Sequence, residues 1–510
     1  MQANARSGRE LVVRWALPAI TVIFFLATAV GYGVFRDELY YFACGRHLDW
    51  GYVDHPPLIA LLAALVEGLG GSWVAGRWLA GLAAGATVWL TGETARELGG
   101  RPWARVTAQL LTATAPIFLA LSSTFSMNVF NLLIWAALGR LAAHLLSGGE
   151  PRLWLLFGAL AGIGLQNKVD VGVLGLGLAV GLMLSRRWDV LRRPWIWLGG
   201  AVAGLIFLPH VLWQMAHGWP TREFIANAQA GKIVELNPGE YALAQVELFG
   251  PVAIALALAG LGWLLFAGSA REHRSLAWIP VTAFLLFALS VSKPYYLAPA
   301  VILLFPAGAV AASRWSRSER IRQPWGRVLR VGLIALIVLG LAAAPLAKPL
   351  LPEDSYVAYA ESLGFAPSTE ERHELGRLPQ FFADMHGWED LAATVSGVYQ
   401  SLPERDREKA CFFGTNYGQA GAIDLFRDTY ELPSAISGHN SYWLWGPGDC
   451  TGEVLLFSGS VVLPPGTSKA PGALHRCTDC MPYENNLTIW IIRDLPMSAQ
   501  EAWPSVKSFN

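Results

Sequence analysis

The feature that most constrains this chain is a series of about eleven apolar runs, each long enough to form a helix across a lipid bilayer. A transmembrane helix needs about 20 mostly apolar residues to cross about 30 Å of hydrocarbon. Only 15% of the residues are charged, whereas a soluble domain carries about 25%. The sequence therefore predicts a polytopic α-helical membrane protein with about 11 transmembrane helices, at residues 11–32, 73–97, 104–121, 126–146, 153–168, 169–185, 194–215, 250–267, 275–291, 294–313 and 329–347.

Basic residues are distributed unequally among the loops between these runs. Short cytoplasmic loops of membrane proteins carry an excess of Lys and Arg. With the N-terminus inside, the inner loops hold most of the basic residues, among them Arg186, Arg187, Arg192, Arg193, Arg314, Arg317 and Arg320. This asymmetry favours a cytoplasmic N-terminus and, with eleven spans, a C-terminus outside. We expect the first run to be retained as a span, because no small-residue cleavage site follows it before Arg36.

Residues 1–348 are predicted to form a transmembrane domain, in contact with membrane lipids, with two long outer-face loops at 33–72 and 216–249. The first loop contains an apolar stretch, Pro57–Gly68, that is too short to span a bilayer and is expected to lie in the interface. The formal net charge of the chain is zero. The chain therefore has no overall positive charge that would indicate a nucleic-acid partner.

Composition changes at about residue 349 to mixed polar sequence. Residues 349–510 alternate helical and strand-like runs, such as Glu453–Ser458 and Leu487–Arg493. This pattern predicts a separate soluble α+β domain. The predicted topology places that domain outside the membrane.

Four of the five cysteines lie in this predicted outer domain: Cys411, Cys450, Cys477 and Cys480. An oxidising compartment permits disulfides, and a structural disulfide, most plausibly from Cys450, is one expectation. Free thiols are an alternative. The spacing Cys477-Thr-Asp-Cys480 is also typical of zinc or redox chemistry.

Two adjacent carboxylates, Asp37 and Glu38, follow the first predicted span directly. Charged groups at a lipid boundary are costly and often functional. A partly buried carboxylate there could deprotonate the hydroxyl or amine of an acceptor. The alternative is helix capping, because both residues would lie in the first turn of a helix that runs to about His47 and would favour its dipole.

The same loop contains the sequence Asp54-His55-Pro56-Pro57. Paired prolines after a short polar residue fit a helix start, where free backbone N–H groups can bind a phosphate. His55 could add a donor, and Asp54 could bind a divalent metal or orient His55. A plain transition from loop to helix is the alternative.

Two lysines, Lys168 and Lys293, lie at predicted outer helix ends. Cations on the same side as a carboxylate base suit an anionic phosphate leaving group. Each lysine alone is also typical of a boundary residue that extends its amine to water. The polar run from Ser122 to Asn128, at another outer boundary, either lines a pocket or caps the helix that begins there.

Four motifs follow one another in a fixed order, namely Asp37-Glu38 with Tyr40-Tyr41, then Asp54-His55-Pro56-Pro57-Leu58, then Asn167-Lys168-Val169, and finally Lys293-Pro294-Tyr295-Tyr296. In order and topology they resemble the motifs of bacterial polytopic glycosyltransferases of the protein mannosyltransferase and aminoarabinose transferase superfamily. The resemblance covers about residues 10–345. It implies the GT-C fold, a multi-pass position in the bacterial inner (cytoplasmic) membrane, and a polyprenyl (undecaprenyl or decaprenyl) phosphate sugar as donor.

The resemblance also implies which residues form the site. We expect catalysis by Asp37 and Glu38, with Asp37 as the base; donor-phosphate binding by His55, Lys168, Lys293, Tyr295 and Tyr296; and an acceptor pocket formed by Tyr40, Tyr41, Asp54 and Asn128. A divalent metal, if one is used, would be held by Asp54 or Glu38. In one departure, Asn128 and Asn131 stand where many relatives have a second acidic residue, which puts a role that needs that carboxylate in doubt.

The sequence thus predicts an integral membrane enzyme that transfers a sugar from a polyprenyl phosphate donor to a lipid, glycan or protein acceptor at the outer membrane face. The expected reaction is a single displacement with inversion. The principal alternative is a transporter or flippase of lipid-linked sugars, in which the same charges bind phosphate without chemistry. Adjacent carboxylates and a large outer domain favour the enzyme, whereas inverted repeats, which would indicate transport, are not evident.

Overall fold

The computed structural model describes residues 2–315, 322–460 and 464–510. The inner-loop residues Arg317 and Arg320 lie outside the described residues. The chain forms two compact units, each assembled from three separate segments. The first unit comprises Met1–Ala29, Val74–Leu212 and Val234–Leu350, and the second comprises Val30–Trp73, Trp213–Ile233 and Leu351–Asn510.

The first unit is helical throughout its described secondary structure, and each apolar run predicted from the sequence coincides with helical segments. Two of these segments are 3₁₀ helices, Gly268–Ala277 and Pro294–Leu297. The α-helices are Gln2–Ala27, Trp73–Glu97, Pro102–Thr114, Pro116–Leu121, Met127–Leu146, Leu153–Asn167, Val171–Leu184, Trp188–Leu191, Pro194–Ala216, Pro238–Phe249, Pro251–Phe266, Trp278–Ala288, Ala298–Ile302, Leu304–Trp315 and Arg322–Ala347.

Proline and glycine explain where long apolar stretches break. The predicted run 104–121 divides at Ala115, whose backbone is extended because it precedes Pro116. Pro238–Phe249 and Pro251–Phe266 meet at an angle of 116°. Gly250 between them has a φ of 81°, a conformation that glycine adopts without steric cost.

By length and composition, three described helices can cross a membrane: Glu10–Ala27, Met127–Leu146 and Pro194–Ala216. The number rises to five if each of two bent helix pairs counts as one span. Other apolar helices are shorter, and the 15 residues of Leu153–Asn167 rise only about 22 Å along the axis. Multiple long apolar helices are thus present, while the count of eleven spans stays a prediction.

Glycines allow helices of the first unit to approach one another closely. A Cβ added at Gly158 would lie 2.0 Å from the carbonyl oxygen of Gly199, and one added at Gly260 would lie 2.4 Å from the backbone nitrogen of Gly308. Small residues at helix contacts are typical of membrane proteins, because close backbone packing replaces the hydrophobic driving force there.

The second unit combines helices with one sheet. Its strands are β1 (Ala410–Phe413), β2 (Ser434–Ile436), β3 (Val454–Ser458), β4 (Ser468–His475) and β5 (Leu487–Arg493). Shorter turns are π-helical at Ala228–Lys232 and 3₁₀ at Pro482–Glu484 and Trp503–Val506. The α-helices are Arg36–Arg46, Leu58–Gly68, Pro220–Asn227, Glu353–Ser362, Gln380–Ala383, Trp388–Ser401, Glu404–Arg407, Tyr417–Leu425, Arg427–Tyr430, Ser441–Trp445 and Ala499–Ala502.

The sheet has the strand order β2-β1-β3-β5-β4. Strand β1 pairs in parallel with β2 and β3, while β5 pairs antiparallel with β3 and β4. The strand-like runs predicted from the sequence correspond to β3 and β5. The prediction of an α+β fold for the C-terminal residues is confirmed.

The hydrophobic core of the second unit includes residues from two distant parts of the chain. Leu39, from the helix Arg36–Arg46, lies in the same buried cluster as Leu391, Phe412 and Ile423. The loop that carries the acidic pair is therefore packed against C-terminal helices and strands. The predicted boundary between residues 1–348 and 349–510, and the outer position of the latter, stay predictions.

A disulfide joins Cys411 in β1 to Cys450, 39 positions later. The expectation of a structural disulfide from Cys450 is thus confirmed, and Cys411 is its partner. Cys477 and Cys480 are buried free thiols, and the backbone N–H of Cys480 donates to the sulfur of Cys477 at 3.2 Å.

Candidate functional site

The helix Arg36–Arg46 determines the surroundings of the acidic pair. Its N-cap is Phe35, whose backbone N–H donates to the Glu38 carboxylate at 2.8 Å. Glu38 is fully buried. Glu38 therefore takes the capping role that the alternative interpretation expects, and its carboxylate closes the first helical turn.

Asp37 has different surroundings, although it is the next residue in the chain. Its side chain is 36% exposed. One carboxylate oxygen accepts a hydrogen bond from the hydroxyl of Tyr417 at 2.9 Å, and the Nε atom of Arg36 lies 4.0 Å away. Asp37 is thus the member of the pair whose carboxylate solvent can reach.

Arg36 connects this helix start to a buried polar network. Its guanidinium donates to the Tyr483 hydroxyl at 2.6 Å and lies 3.5 Å from the Asp384 carboxylate. Burial raises the pKa of Asp384 to about 6, even though Arg36 acts to lower it. The arginine that precedes Asp37 is therefore held in place by two residues of the C-terminal segment.

Tyr40 and Asp54 also come together in this unit. The Tyr40 hydroxyl donates to Asp54 at 2.9 Å and lies 2.7 Å from the hydroxyl of Ser441. Burial raises the pKa of Asp54, while the hydrogen bond from Tyr40 acts to lower it. Tyr40 is 1% and Tyr41 3% exposed, so the predicted pocket tyrosines are packed inside the protein.

His55 is oriented by groups other than Asp54. Its Nδ1 lies 2.8 Å from the carbonyl oxygen of Pro56, and its ring stacks on Tyr52 with 4.8 Å between ring centres. The side chain is only 1% exposed. A phosphate would reach this ring only if the surrounding aromatic packing opened.

A second group of predicted residues lies in the first unit, around the amine of Lys168. The amine donates to the side-chain oxygen of Asn128 at 2.9 Å. It also lies 4.6 Å from the ring centre of Tyr296 and 5.6 Å from that of Tyr295. Such contacts stabilise a cation, and they bring together four of the residues that the sequence motifs predict.

Lys293 lies close enough to this group for its positive charge and that of Lys168 to repel each other. The carbonyl oxygen of Lys293 accepts a hydrogen bond from the Tyr241 hydroxyl at 3.3 Å. Lys293 is also the N-cap of the 3₁₀ helix Pro294–Leu297, which carries the two tyrosines. Two cations in one region are suited to an anion that carries more than one negative charge.

Asp170 belongs to this group, but the sequence motifs do not include it. It accepts hydrogen bonds from Asn131 at 2.9 Å and from the indole of Trp135 at 3.3 Å, and it lies 3.8 Å from the Lys168 amine. It is 9% exposed. The signal in the sequence is a single carboxylate at the start of the apolar run 169–185, where charges are rare and usually functional.

The predicted metal ligands do not form a cluster. Among the described residues, no group of three or more His, Cys, Asp or Glu side chains is placed to hold a metal ion. Asp54 binds Tyr40, and Glu38 binds the helix start. In the described part of the chain, Cys477 and Cys480 do not belong to such a group either.

Comparisons with known proteins identify a family model and a curated relative that are similar to this chain. The family model described as dolichyl-phosphate-mannose-protein mannosyltransferase matches residues 54–213. The lipid A galacturonosyltransferase RgtD of Rhizobium johnstonii is 27% identical over 367 residues, which is 68% of this chain and 73% of that protein.

Two crystal structures of ArnT from Cupriavidus metallidurans have a similar fold. The apo structure matches with a TM-score of 0.58 and 16% identity, and it covers 96% of this chain and 99% of that one. The structure bound to undecaprenyl phosphate matches with a TM-score of 0.57 and 15% identity, over 94% and 97% of the two chains.

The family match over residues 54–213, the curated relative and the ArnT fold agree that this chain is similar to GT-C glycosyltransferases. The resemblance that the four sequence motifs carry is therefore confirmed. The fold is the helical GT-C architecture with a small C-terminal sheet, and it implies a multi-pass membrane protein.

Proposed function

We propose that the protein transfers a sugar from a polyprenyl phosphate donor to a lipid, glycan or protein acceptor at the outer face of the bacterial inner membrane. The observation that carries the proposal is the Asp37 carboxylate, which is accessible and oriented by Tyr417. A relative that acts on lipid A and a fold neighbour that binds undecaprenyl phosphate support this donor class and favour a lipid acceptor.

The proposed reaction is a single displacement at the anomeric carbon. The acceptor hydroxyl gives its proton to Asp37 while its oxygen forms the new bond to the sugar. The bond between the anomeric carbon and the phosphate oxygen breaks, and polyprenyl phosphate leaves with both electrons. Attack opposite the leaving group inverts the anomeric configuration.

The other predicted residues receive roles according to their surroundings. We assign the donor phosphate to Lys168 and Lys293, with Tyr295 and Tyr296 packed beside the Lys168 amine. Asn128 positions that amine. Glu38, Tyr40, Tyr41, Asp54 and His55 are buried or internally bonded, so we assign them to the framework that holds Asp37.

To test this proposal, the purified protein in detergent is incubated with a panel of radiolabelled polyprenyl phosphate sugars and a membrane extract. We expect label from one donor to move to an acceptor in that extract while polyprenyl phosphate is released. Tight donor binding without transfer across the panel would instead support a transporter of lipid-linked sugars, for which the comparisons provide no support.

Changing Lys168 or Lys293 to Gln should weaken donor binding more than it slows turnover of bound donor. A hydrogen bond to a charged group contributes about 1.5–3 kcal/mol, which corresponds to an increase of about 10- to 100-fold in the donor dissociation constant. Lys409→Gln is the control, because Lys409 pairs with Glu453 at the surface of the second unit. Unchanged donor affinity in both Lys168→Gln and Lys293→Gln would remove these residues from the phosphate site.

A further inference from the structure

Tyr417 contacts the proposed base directly, although it lies 380 positions later in the chain. Its hydroxyl donates to Asp37 at 2.9 Å. The side chain is 6% exposed, and burial raises the pKa of Tyr417 well above its usual range. The hydroxyl therefore keeps its proton and acts as a donor toward the carboxylate.

Two aromatic rings pack against the ring of Tyr417. It packs against Tyr40 with 4.7 Å between ring centres and against His439 with 4.8 Å. The backbone N–H of Tyr417 donates to the Nδ1 atom of His439 at 3.2 Å. These contacts leave the ring little rotational freedom, so the hydroxyl stays aimed at Asp37.

The backbone around Tyr417 is fixed as well. Tyr417 is the first residue of the helix Tyr417–Leu425, and its N-cap Asn416 accepts hydrogen bonds from the next two helical N–H groups. The amide of Asn416 donates in turn to the buried Glu484 at 2.7 Å. A capped helix start is a rigid support for the first side chain.

The helices that carry Asp37 and Tyr417 approach each other closely. A Cβ added at Gly421 would lie 2.9 Å from the Cβ atom of Leu39, so only glycine permits this approach. One added at Gly418 would lie 2.8 Å from a side-chain carbon of Arg36. The packing of the second unit thus specifies the distance between base and tyrosine.

We propose that Tyr417 is a positioning residue for catalysis: its hydroxyl holds one oxygen of the Asp37 carboxylate so that the other is presented to the acceptor. The inference rests on the proposed function of Asp37. It assigns the C-terminal segment a direct part in the reaction. The Nε atom of Arg36 lies 4.0 Å from Asp37, but the Arg36 guanidinium also contacts Asp384 and Tyr483.

Tyr417→Phe removes the hydroxyl and preserves the stacked ring. Because a base that is displaced by about 1 Å can cost about 100-fold in rate, we expect kcat to fall by about 10- to 100-fold while the KM for the donor stays unchanged. Tyr430→Phe is the matched control, since that hydroxyl also donates to a carboxylate, Glu389, at 2.9 Å and should not affect transfer.

A double-substitution experiment separates positioning from loss of fold. If Tyr417 acts through Asp37, then adding Tyr417→Phe to Asp37→Asn should not lower the residual transfer further. An equal loss in both backgrounds, or a wild-type kcat in Tyr417→Phe, would overturn the inference and leave the proposed function intact. A wild-type protein that transfers no sugar from any donor would overturn the proposed function, and this inference with it.

Discussion

At the scale of single residues, the second unit holds carboxylates away from water. Glu484 is 4% exposed and accepts hydrogen bonds from Asn416 and Gln419, each at 2.7 Å. Burial raises the pKa of Glu484 to about 7, although both donors act to lower it. Glu484 accepts a hydrogen bond from Asn416, the N-cap of the helix that begins at Tyr417. The protonation state of Glu484 therefore affects the support of Tyr417.

The stability of the protein should depend on pH through Glu484. Because its pKa is higher in the folded protein than the usual value of 4.5, the group contributes stability that is fully present below about pH 4.5 and is lost as the pH rises through about 7. Over that range the loss is on the order of 3 kcal/mol. Thermal unfolding of the full-length chain in detergent should show a smaller decrease between about pH 5 and about pH 8 for Glu484→Gln than for wild type, and equal decreases would contradict the assignment.

Sequence reasoning identified some of these residues and missed others for a physical reason. Local patterns predicted the acidic pair and the two lysines, because charges at the ends of apolar runs stand out. The contact between Asp37 and Tyr417 has no local pattern, since only the folded packing brings the two together. Asp170 was predictable as a single carboxylate in an apolar run, but it belongs to none of the four motifs.

At the scale of helices, close packing through glycine gives a second prediction. A Cβ at Gly260 would lie 2.4 Å from a backbone nitrogen of the facing helix, whereas a Cβ at Gly262, on the same helix, would meet no atom within 4 Å. Overpacking typically costs about 1–3 kcal/mol. Gly260→Val should therefore lower the unfolding temperature in detergent, while Gly262→Val should leave it nearly unchanged. Equal unfolding temperatures for the two variants would show that this helix contact does not form.

The long apolar helices and two of the five described strands were predictable, because hydropathy and strand patterns are local properties. The short apolar stretch Pro57–Gly68 is the helix Leu58–Gly68, and the run Leu487–Arg493 is strand β5. Strand β4 was not predicted, because Pro471 and Gly472 are disfavoured in strands. The structure accommodates them through a register shift between Pro471 and Ala473, which is typical of a β-bulge.

At the scale of the whole molecule, composition predicted a membrane part and a C-terminal α+β part but not how segments combine. The second unit joins residues 30–73 and 213–233 to the C-terminal segment. Leu39 is buried among C-terminal residues. Removing apolar side chains of the loop from water is favourable, and this explains why the loop packs against the C-terminal core. Contacts between such distant segments cannot be predicted from composition.

The measurement that tests the central proposal most directly is sugar transfer by Asp37→Asn, with donor binding measured in the same samples. Asn preserves the size of the side chain but cannot take the proton from the acceptor hydroxyl. General base catalysis typically increases the rate by about 100- to 10,000-fold. Asp49→Asn is the control, because Asp49 is an exposed carboxylate of the same loop that accepts a hydrogen bond from the N–H of Trp50. We expect transfer to fall by that factor in Asp37→Asn alone, with donor affinity unchanged. Full transfer by Asp37→Asn would contradict the assignment of Asp37 as the base.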